Sequence, residues 1–308
     1  MPSGRFAPSP TGRLHLGNLR TALVAWLFAR SDGSAFLLRM EDLDQAAVRA
    51  EHYQTQANDL AALGLHWDGD PIRQTERLEL YNDATRQLTD AGLTYPCYCS
   101  RREIREATQA PNGPWSHGQY PGTCRTLTAA HRAEHERSGR PSALRLLGRS
   151  DTIAFDDLLC GPTSGLVDDA VIRRNDGTPA YNLVVMIDDD DAGIELVVRA
   201  DDLLDSTPRQ IHICRQLGLR APAFAHVPLV LAPGGDRLAK RDGSVTLADR
   251  IELGETPSDV LGYLAYTLGL AESGEPVVAA DLVERFEPSR LPRTPLVLDP
   301  EILDLTPE

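Results

Sequence analysis

Between residues 4 and 40 the chain runs from a short extended segment through a turn-rich loop into an apolar helix and a second extended segment. GRFAP (4–8) reads as a strand, SPTGRLHLG as the loop, the segment at about 17–31 as a helix with apolar residues at helical spacing, and SAFLLRM (34–40) as a strand. Helices are expected near 46–63 and 76–91. Strand, glycine-containing loop, helix, strand is how a doubly wound nucleotide-binding half begins. At 308 residues the chain can carry such a domain plus an insertion or a small second domain.

The alternation breaks at residue 93. Residues 93–180 read as an inserted subdomain. It holds a cysteine pair, a short helix opened by a Ser100/Glu103 capping box, a polar helix near 128–138 and mixed strands. Residues 181–199 (YNLVVMIDDDDAGIELVVR) return to β character, with the run Asp188–Asp191 as a solvent-facing turn between strands rather than a magnesium site. DSTPRQIHICRQLG is a capped helix with Pro208 in its first turn. HVPLVLAPGG is a strand entering a glycine-rich loop. The chain is thus divided as 1–92, 93–180, 181–250 and a short helical region, 251–308.

No stretch approaches the roughly 20 apolar residues of a membrane span, and the N-terminus has no apolar signal core. A cytoplasmic protein is expected. The net charge of -14 disfavours a nucleic-acid partner on its face. The charge is uneven, however: residues 100–150 hold nine Arg against four Glu. This basic island reads either as a surface for a phosphate backbone or as a solvated arginine face. Five cysteines without a secretion signal argue against a disulfide framework. Cys97, Cys99 and Cys124 instead offer three thiolates to a tetrahedral metal, with His117, Tyr120 and His131 as possible fourth ligands. The sequence His131-Arg-Ala-Glu134-His135 fits an inverted zincin pattern, but its arginine-rich helix reads as solvated surface.

Two loops carry the chemistry. In the first, Pro8, Pro10 and Gly12 stiffen a segment that delivers His15 and Gly17 to a helix start, a ready phosphate site. His15 and Asn18 can donate to phosphate oxygens. The second, GGDRLAKRDG (234–243), holds Lys240, the one lysine among 31 basic residues. A compact charge on a mobile stem is poorly replaced by arginine's planar fork.

RFAPSPTG followed by HLGN resembles the N-terminal signature of class I glutamyl-tRNA synthetases, and RLAKR (237–241) resembles their second signature. LRMEDLD (38–44), TPAYNLVVMIDD (178–189) and VVRADDLLDSTPRQ (197–210) resemble further blocks in family order. The resemblance implies an α/β, Rossmann-type class I catalytic domain with a zinc-bearing insertion and a short helical C-terminal region. It implies ATP, with Mg²⁺, as a substrate held by His15, Gly17, Asn18 and Lys240, with His15 and Lys240 catalytic. It places Arg5 and Arg199 at the glutamate side-chain carboxylate, where forked donors fit. Glu41 faces the ammonium, and Phe6, Ala7, Pro8, Ser9 and Tyr181 complete the pocket. The family's CxC…YxxxC pattern implies Tyr120 as the fourth ligand of a structural zinc, beside Cys97, Cys99 and Cys124.

The sequence departs from full-length members at Ala200, Asp202 and Leu203, and lacks room after residue 250 for a separate anticodon-reading region. This resembles the truncated branch of the family. Those proteins activate glutamate without tRNA and join it to queuosine in the anticodon of tRNA(Asp). The basic insertion would then grip loop phosphates while the modified base gives specificity. The partners implied are L-glutamate, ATP and queuosine-containing tRNA(Asp), with no membrane, and the protein is expected to be a monomer. The alternatives are a truncated glutamyl-tRNA synthetase acting on a tRNA 3′ end, and a non-catalytic RNA-binding relic.

Overall fold

The first half of the chain forms β1 (Ser3–Phe6), α1 (Leu16–Ser31), β2 (Ala35–Met40), α2 (Ala50–Ala62), β3 (Ile72–Arg73) and α3 (Leu78–Asp90). The structure is a computed structural model that describes residues 3–108, 119–148, 151–236 and 245–299. Within 93–180 lie β4 (Thr94–Cys97), α4 (Arg101–Thr108), α5 (Ala129–Arg137), β5 (Ala143–Leu146), β6 (Thr152–Asp157), β7 (Gly161–Leu166) and β8 (Val171–Arg173). Next come α6 (Tyr181–Asp191), β9 (Ile194–Ala200), α7 (Thr207–Leu217), β10 (Ala223–Val227) and β11 (Val230–Leu231). The C-terminal region holds α8 (Leu247–Glu252), α9 (Pro257–Tyr266), α10 (Ala279–Arg285) and β12 (Leu296–Val297).

The main sheet has the order β3-β2-β1-β9-β10-β6-β7. Its pairs are parallel except for the antiparallel β6–β7 hairpin at one edge. Its central strands β1, β2, β9 and β10 are mostly buried, and their consecutive side chains point to opposite sides. Val198 and Ala225 thus join a core formed with α1, α9 and α10, while Val197 and Phe224 face a second cluster with Ile211 of α7. Helix α1 is buried along most of its length, Arg20 included. The Arg20 guanidinium is satisfied by the Pro228 carbonyl and by Thr267. β4, β5 and β8 form a separate three-stranded sheet, whereas β6 and β7 extend the main one. Among the described residues no helix is long and apolar enough to cross a membrane.

One expectation is overturned. Residues 181–191 are helix α6, not strand, and Asp188–Asp191 is not a solvent-facing turn. Leu183 to Ile187 are buried beside α3 and α7. A short apolar run enclosed in this way carries no periodicity that separates helix from strand. Asp188 and Asp189 are both 0% exposed, and cations offset their burial. Arg77 Nε lies 2.8 Å from Asp188, and Arg5 Nε and Arg39 Nη1 lie 3.1 and 2.5 Å from Asp189. Gln74 and Tyr81 also donate to Asp188. These carboxylates are filled by protein donors, which leaves no role for a magnesium ion.

Candidate active site

A cleft of about 700 Å³ opens at the C-terminal ends of β1, β2 and β9, where open α/β sheets place their ligands. Arg5, Phe6, Ala7, Pro8, Ser9, His15, Gly17, Asn18, Glu41, Tyr181 and Arg199 all line it. The structure therefore brings together every site residue expected from sequence outside the insertion except Lys240, which lies outside the described residues.

His15 is the N-cap of α1. Its Nδ1 accepts from the Asn18 backbone N–H at 3.2 Å, and Asn18 Oδ1 accepts from the His15 N–H at 3.2 Å. Burial lowers the His15 pKa, so the ring is neutral near pH 7 and carries its proton on Nε2. The cap thus presents an Nε2–H donor beside the positive end of the helix. Gly17 permits a close approach: a Cβ there would sit 3.0 Å from the His15 ring atoms Cε1 and Nδ1, so the ring would have to shift. The loop is held from below by Gln56, whose Nε2 donates to the carbonyls of Ser9 and Gly12 at 3.0 and 2.7 Å. Val245 lies alongside, where Leu16 N–H donates to its carbonyl at 2.9 Å.

The other end of the cleft concentrates charge. Arg5 is drawn onto Asp189, and its Nη1 donates to the Val198 carbonyl at 3.3 Å. Arg39 reaches Glu41 at 3.4 Å. Burial raises the Glu41 pKa above the usual carboxylate range, while Arg39 and Arg5 pull it back. Burial would likewise raise Asp189, but Arg39 and Arg5 more than offset this and hold it low. Arg199 is 5% exposed. Its Nε donates to His226 Nε2 at 3.0 Å and its Nη2 to Thr207 Oγ1 at 2.9 Å. Its Nη1 is buried without a hydrogen-bond partner. Arg199 lines the cleft and the Tyr181 side chain acts on its guanidinium; a buried donor without a partner is one that an entering acceptor would satisfy. Behind it His226 Nδ1 meets Asp157 Oδ2 at 2.6 Å. Burial would raise the Asp157 carboxyl, but the bond from His226 and three backbone N–H groups hold it at about 2.

In the insertion the thiol sulfurs of Cys97, Cys99 and Cys124 lie within 4.8 Å of one another. Tyr120 Oη is 3.3 Å from Cys97 Sγ and 3.6 Å from Cys99 Sγ, and accepts from the Cys124 N–H at 2.8 Å. A tetrahedral zinc with Zn–S near 2.3 Å places its sulfurs about 3.8 Å apart, so this donor set fits the ion. Hydrogen bonds from the Cys124 and Cys99 thiols hold Cys97 far toward thiolate, and Arg145, whose guanidinium sits 3.6 Å above the Tyr120 ring, adds to the effect. His131 sits exposed on α5, away from this cluster, and His117 lies outside the described residues. Helix α5 buries none of its residues, as expected of a surface helix, and His135 stacks on Tyr98 with centroids 4.7 Å apart.

Sequence reasoning missed Arg39, Asp157, Asp189 and His226. Arg39 stood inside a recognised block, LRMEDLD. Asp189 likewise closes a recognised block, TPAYNLVVMIDD, where the aspartate run reads as a turn, whereas Asp157 and His226, 69 residues apart, leave no local signature.

The family model for the catalytic domain of class I tRNA synthetases (E and Q) matches residues 3–301. A glutamyl-Q tRNA(Asp) synthetase of Nocardia farcinica is 54% identical over 96% of this chain and 93% of its own length. A glutamate–tRNA ligase of a Synechococcus is 41% identical over 88% of this chain but only 58% of its own length. A glutamate tRNA ligase crystal structure from Elizabethkingia meningosepticum, in complex with its amino acid, superposes with a TM-score of 0.81 at 27% identity, over 98% of this chain and 68% of that one.

Proposed function

The chain belongs to the class I tRNA synthetases of the E and Q catalytic family, and from that premise we propose that it activates glutamate with ATP, without tRNA, and transfers it to queuosine in the anticodon of tRNA(Asp). Ligase chemistry comes with the family; the amino acid, the tRNA independence and the queuosine target are the proposal. The observation that carries the amino-acid assignment is the buried, unmatched Nη1 of Arg199 in the same cleft as the Glu41 carboxylate. Glutamate meets both: its side-chain carboxylate accepts from Arg199 and its ammonium faces Glu41. Arg5, already engaged by Asp189, supplies positive potential there rather than an open fork.

In the first step a glutamate α-carboxylate oxygen bonds to the α-phosphorus of ATP, and the bond to pyrophosphate breaks. Positioning and charge stabilisation dominate such a step. His15 Nε2–H and Lys240 act on the phosphates, and Gly17 lets the backbone approach. In the second step a queuosine hydroxyl attacks the activated carbonyl and AMP leaves. Cys97, Cys99, Cys124 and Tyr120 would hold a structural zinc that ties down the small subdomain around them. The queuosine target is supported by relatives of that name that match this chain over nearly their whole length, whereas glutamate–tRNA ligases are matched over a part. Transfer of labelled glutamate to tRNA(Asp) with and without queuosine tests the reading. Equal labelling of both would refute it and favour a 3′-end ligase. Absence of glutamate-dependent ATP–pyrophosphate exchange without RNA would remove the activation step.

A further inference from the structure

Arg199 presents its unmatched nitrogen only because its other nitrogens are held, and the group holding Nε is a buried histidine. His226 is 0% exposed. For its Nε2 to accept from Arg199 Nε at 3.0 Å, that atom must be unprotonated. Thr207 Oγ1, which accepts from Arg199 Nη2, stands 3.3 Å from the same Nε2 and is placed to donate to it. The ring proton must then lie on Nδ1, facing Asp157 Oδ2 at 2.6 Å. Asp157 is in turn immobilised: its Oδ1 accepts backbone N–H groups from Leu159, Cys160 and His226 at 2.9, 2.8 and 3.1 Å. One carboxylate oxygen is fixed by the backbone, and the other sets the tautomer of the histidine.

We propose that Asp157 and His226 are positioning residues for amino-acid selection: Asp157 keeps His226 in the Nδ1–H tautomer, and His226 aims Arg199 Nη1 at the side-chain carboxylate of the amino acid. This rests on the reading of the cleft as a glutamate site. Neither residue lines the cleft, so neither touches substrate. The arrangement follows the general logic by which a partner on one ring nitrogen decides what the other can do. Here the far atom is a guanidinium and not a metal or a nucleophile. The selection follows from charge and direction: a side-chain carboxylate satisfies Nη1 with a charge-assisted bond, whereas the amide of glutamine offers only a neutral acceptor.

Asp157→Asn isolates the idea. The three backbone N–H groups keep the side-chain oxygen of asparagine at the Oδ1 position, so its amide nitrogen faces His226 Nδ1. The amide nitrogen donates, so His226 Nδ1 must accept, the ring proton moves to Nε2, and Nε2–H confronts Arg199 Nε–H. The expected result is a KM for glutamate raised about tenfold or more, from loss of a charge-assisted bond. The KM for ATP stays unchanged and the preference for glutamate over glutamine shrinks. All are read by ATP–pyrophosphate exchange.

Long-range proton–nitrogen NMR of the histidine ring should show Nδ1–H in the wild type and Nε2–H in the variant. His226→Gln, whose Oε1 replaces Nε2 as an acceptor for Arg199, should recover most of the glutamate preference that His226→Leu loses. A flipped tautomer with unchanged glutamate KM and selectivity overturns the proposal, as does an unflipped ring. A loss of kcat, glutamate KM and ATP KM together with a fall in melting temperature would mark a purely structural role and also overturn it. Wild-type exchange that ignores glutamate would instead refute the functional reading, and it is visible before any substitution is made.

Discussion

Replacing Asp189 with asparagine changes one oxygen to an amide nitrogen and almost no volume. It removes the carboxylate that faces Arg5 Nε at 3.1 Å and Arg39 Nη1 at 2.5 Å, all in the interior. Arg39 keeps Glu41 at 3.4 Å and Asp188 at 3.7 Å, but Arg5 keeps only a carbonyl contact. Breaking a buried pair by removing one partner costs about 3–5 kcal/mol, because a buried charge is left without compensation. For a chain of this size each kcal/mol moves the melting temperature by roughly 2 °C, so Asp189→Asn should melt about 6–10 °C below the wild type near pH 7.

The sign with pH follows from the depressed Asp189 carboxyl. Such a group stabilises the fold above its unfolded pKa of about 3.9, and the contribution is lost as pH falls through the lower folded value. The gap between wild type and variant should therefore be full at neutral pH and narrow below about pH 4. Differential scanning fluorimetry at stepped pH reads both. Melting within about 1 °C of the wild type at pH 7, with the fold intact by circular dichroism, would refute the compensated-charge account.

Further outcomes are expected elsewhere. Lys240→Arg should lose most adenylate formation in pyrophosphate exchange while keeping the wild-type melting temperature; near-normal exchange would make the lone lysine a compositional accident. Gly17→Ala should push the His15 ring out of its cap, since the new Cβ would lie 3.0 Å from two ring atoms, raising the KM for ATP more than that for glutamate. Purified protein should carry about one zinc per chain by elemental analysis, and Cys99→Ser should lose it and expose the insertion to protease; a metal-free, protease-resistant wild type would exclude the site.

The parts of the site legible in the sequence are those written locally. The RFAPSPTG–HLGN loop holds Arg5 to Asn18 in one continuous stretch, and C-x-C with YPGTC gathers the thiols with Tyr120. The Ser100/Glu103 box forms, with Ser100 N–H 2.6 Å from Glu103 Oε2. What could not be read was written across the chain. Arg5 and Arg39 stand 184 and 150 residues from Asp189, and His226 stands 69 from Asp157. Four consecutive aspartates look solvated until their cations are known. Residues 181–191 were misread for a related reason: burial on all sides erased the helical period that marks a half-exposed helix.

Asp168 spans two parts of the molecule. One of its oxygens accepts the Tyr120 backbone N–H at 2.6 Å, and the other pairs with Arg209 of α7. Two residues earlier on the same helix, Thr207 holds Arg199. The root of the cysteine cluster and Arg199 of the cleft therefore both attach to one turn of α7, through residues about 3 Å apart along its axis. The helix fixes only the separation of Thr207 and Arg209; the links outward from them are the Arg209–Asp168 ion pair and the hydrogen bonds at Tyr120 and Arg199. Changes confined to the outer helices of the insertion, α4 and α5, leave all of these links untouched.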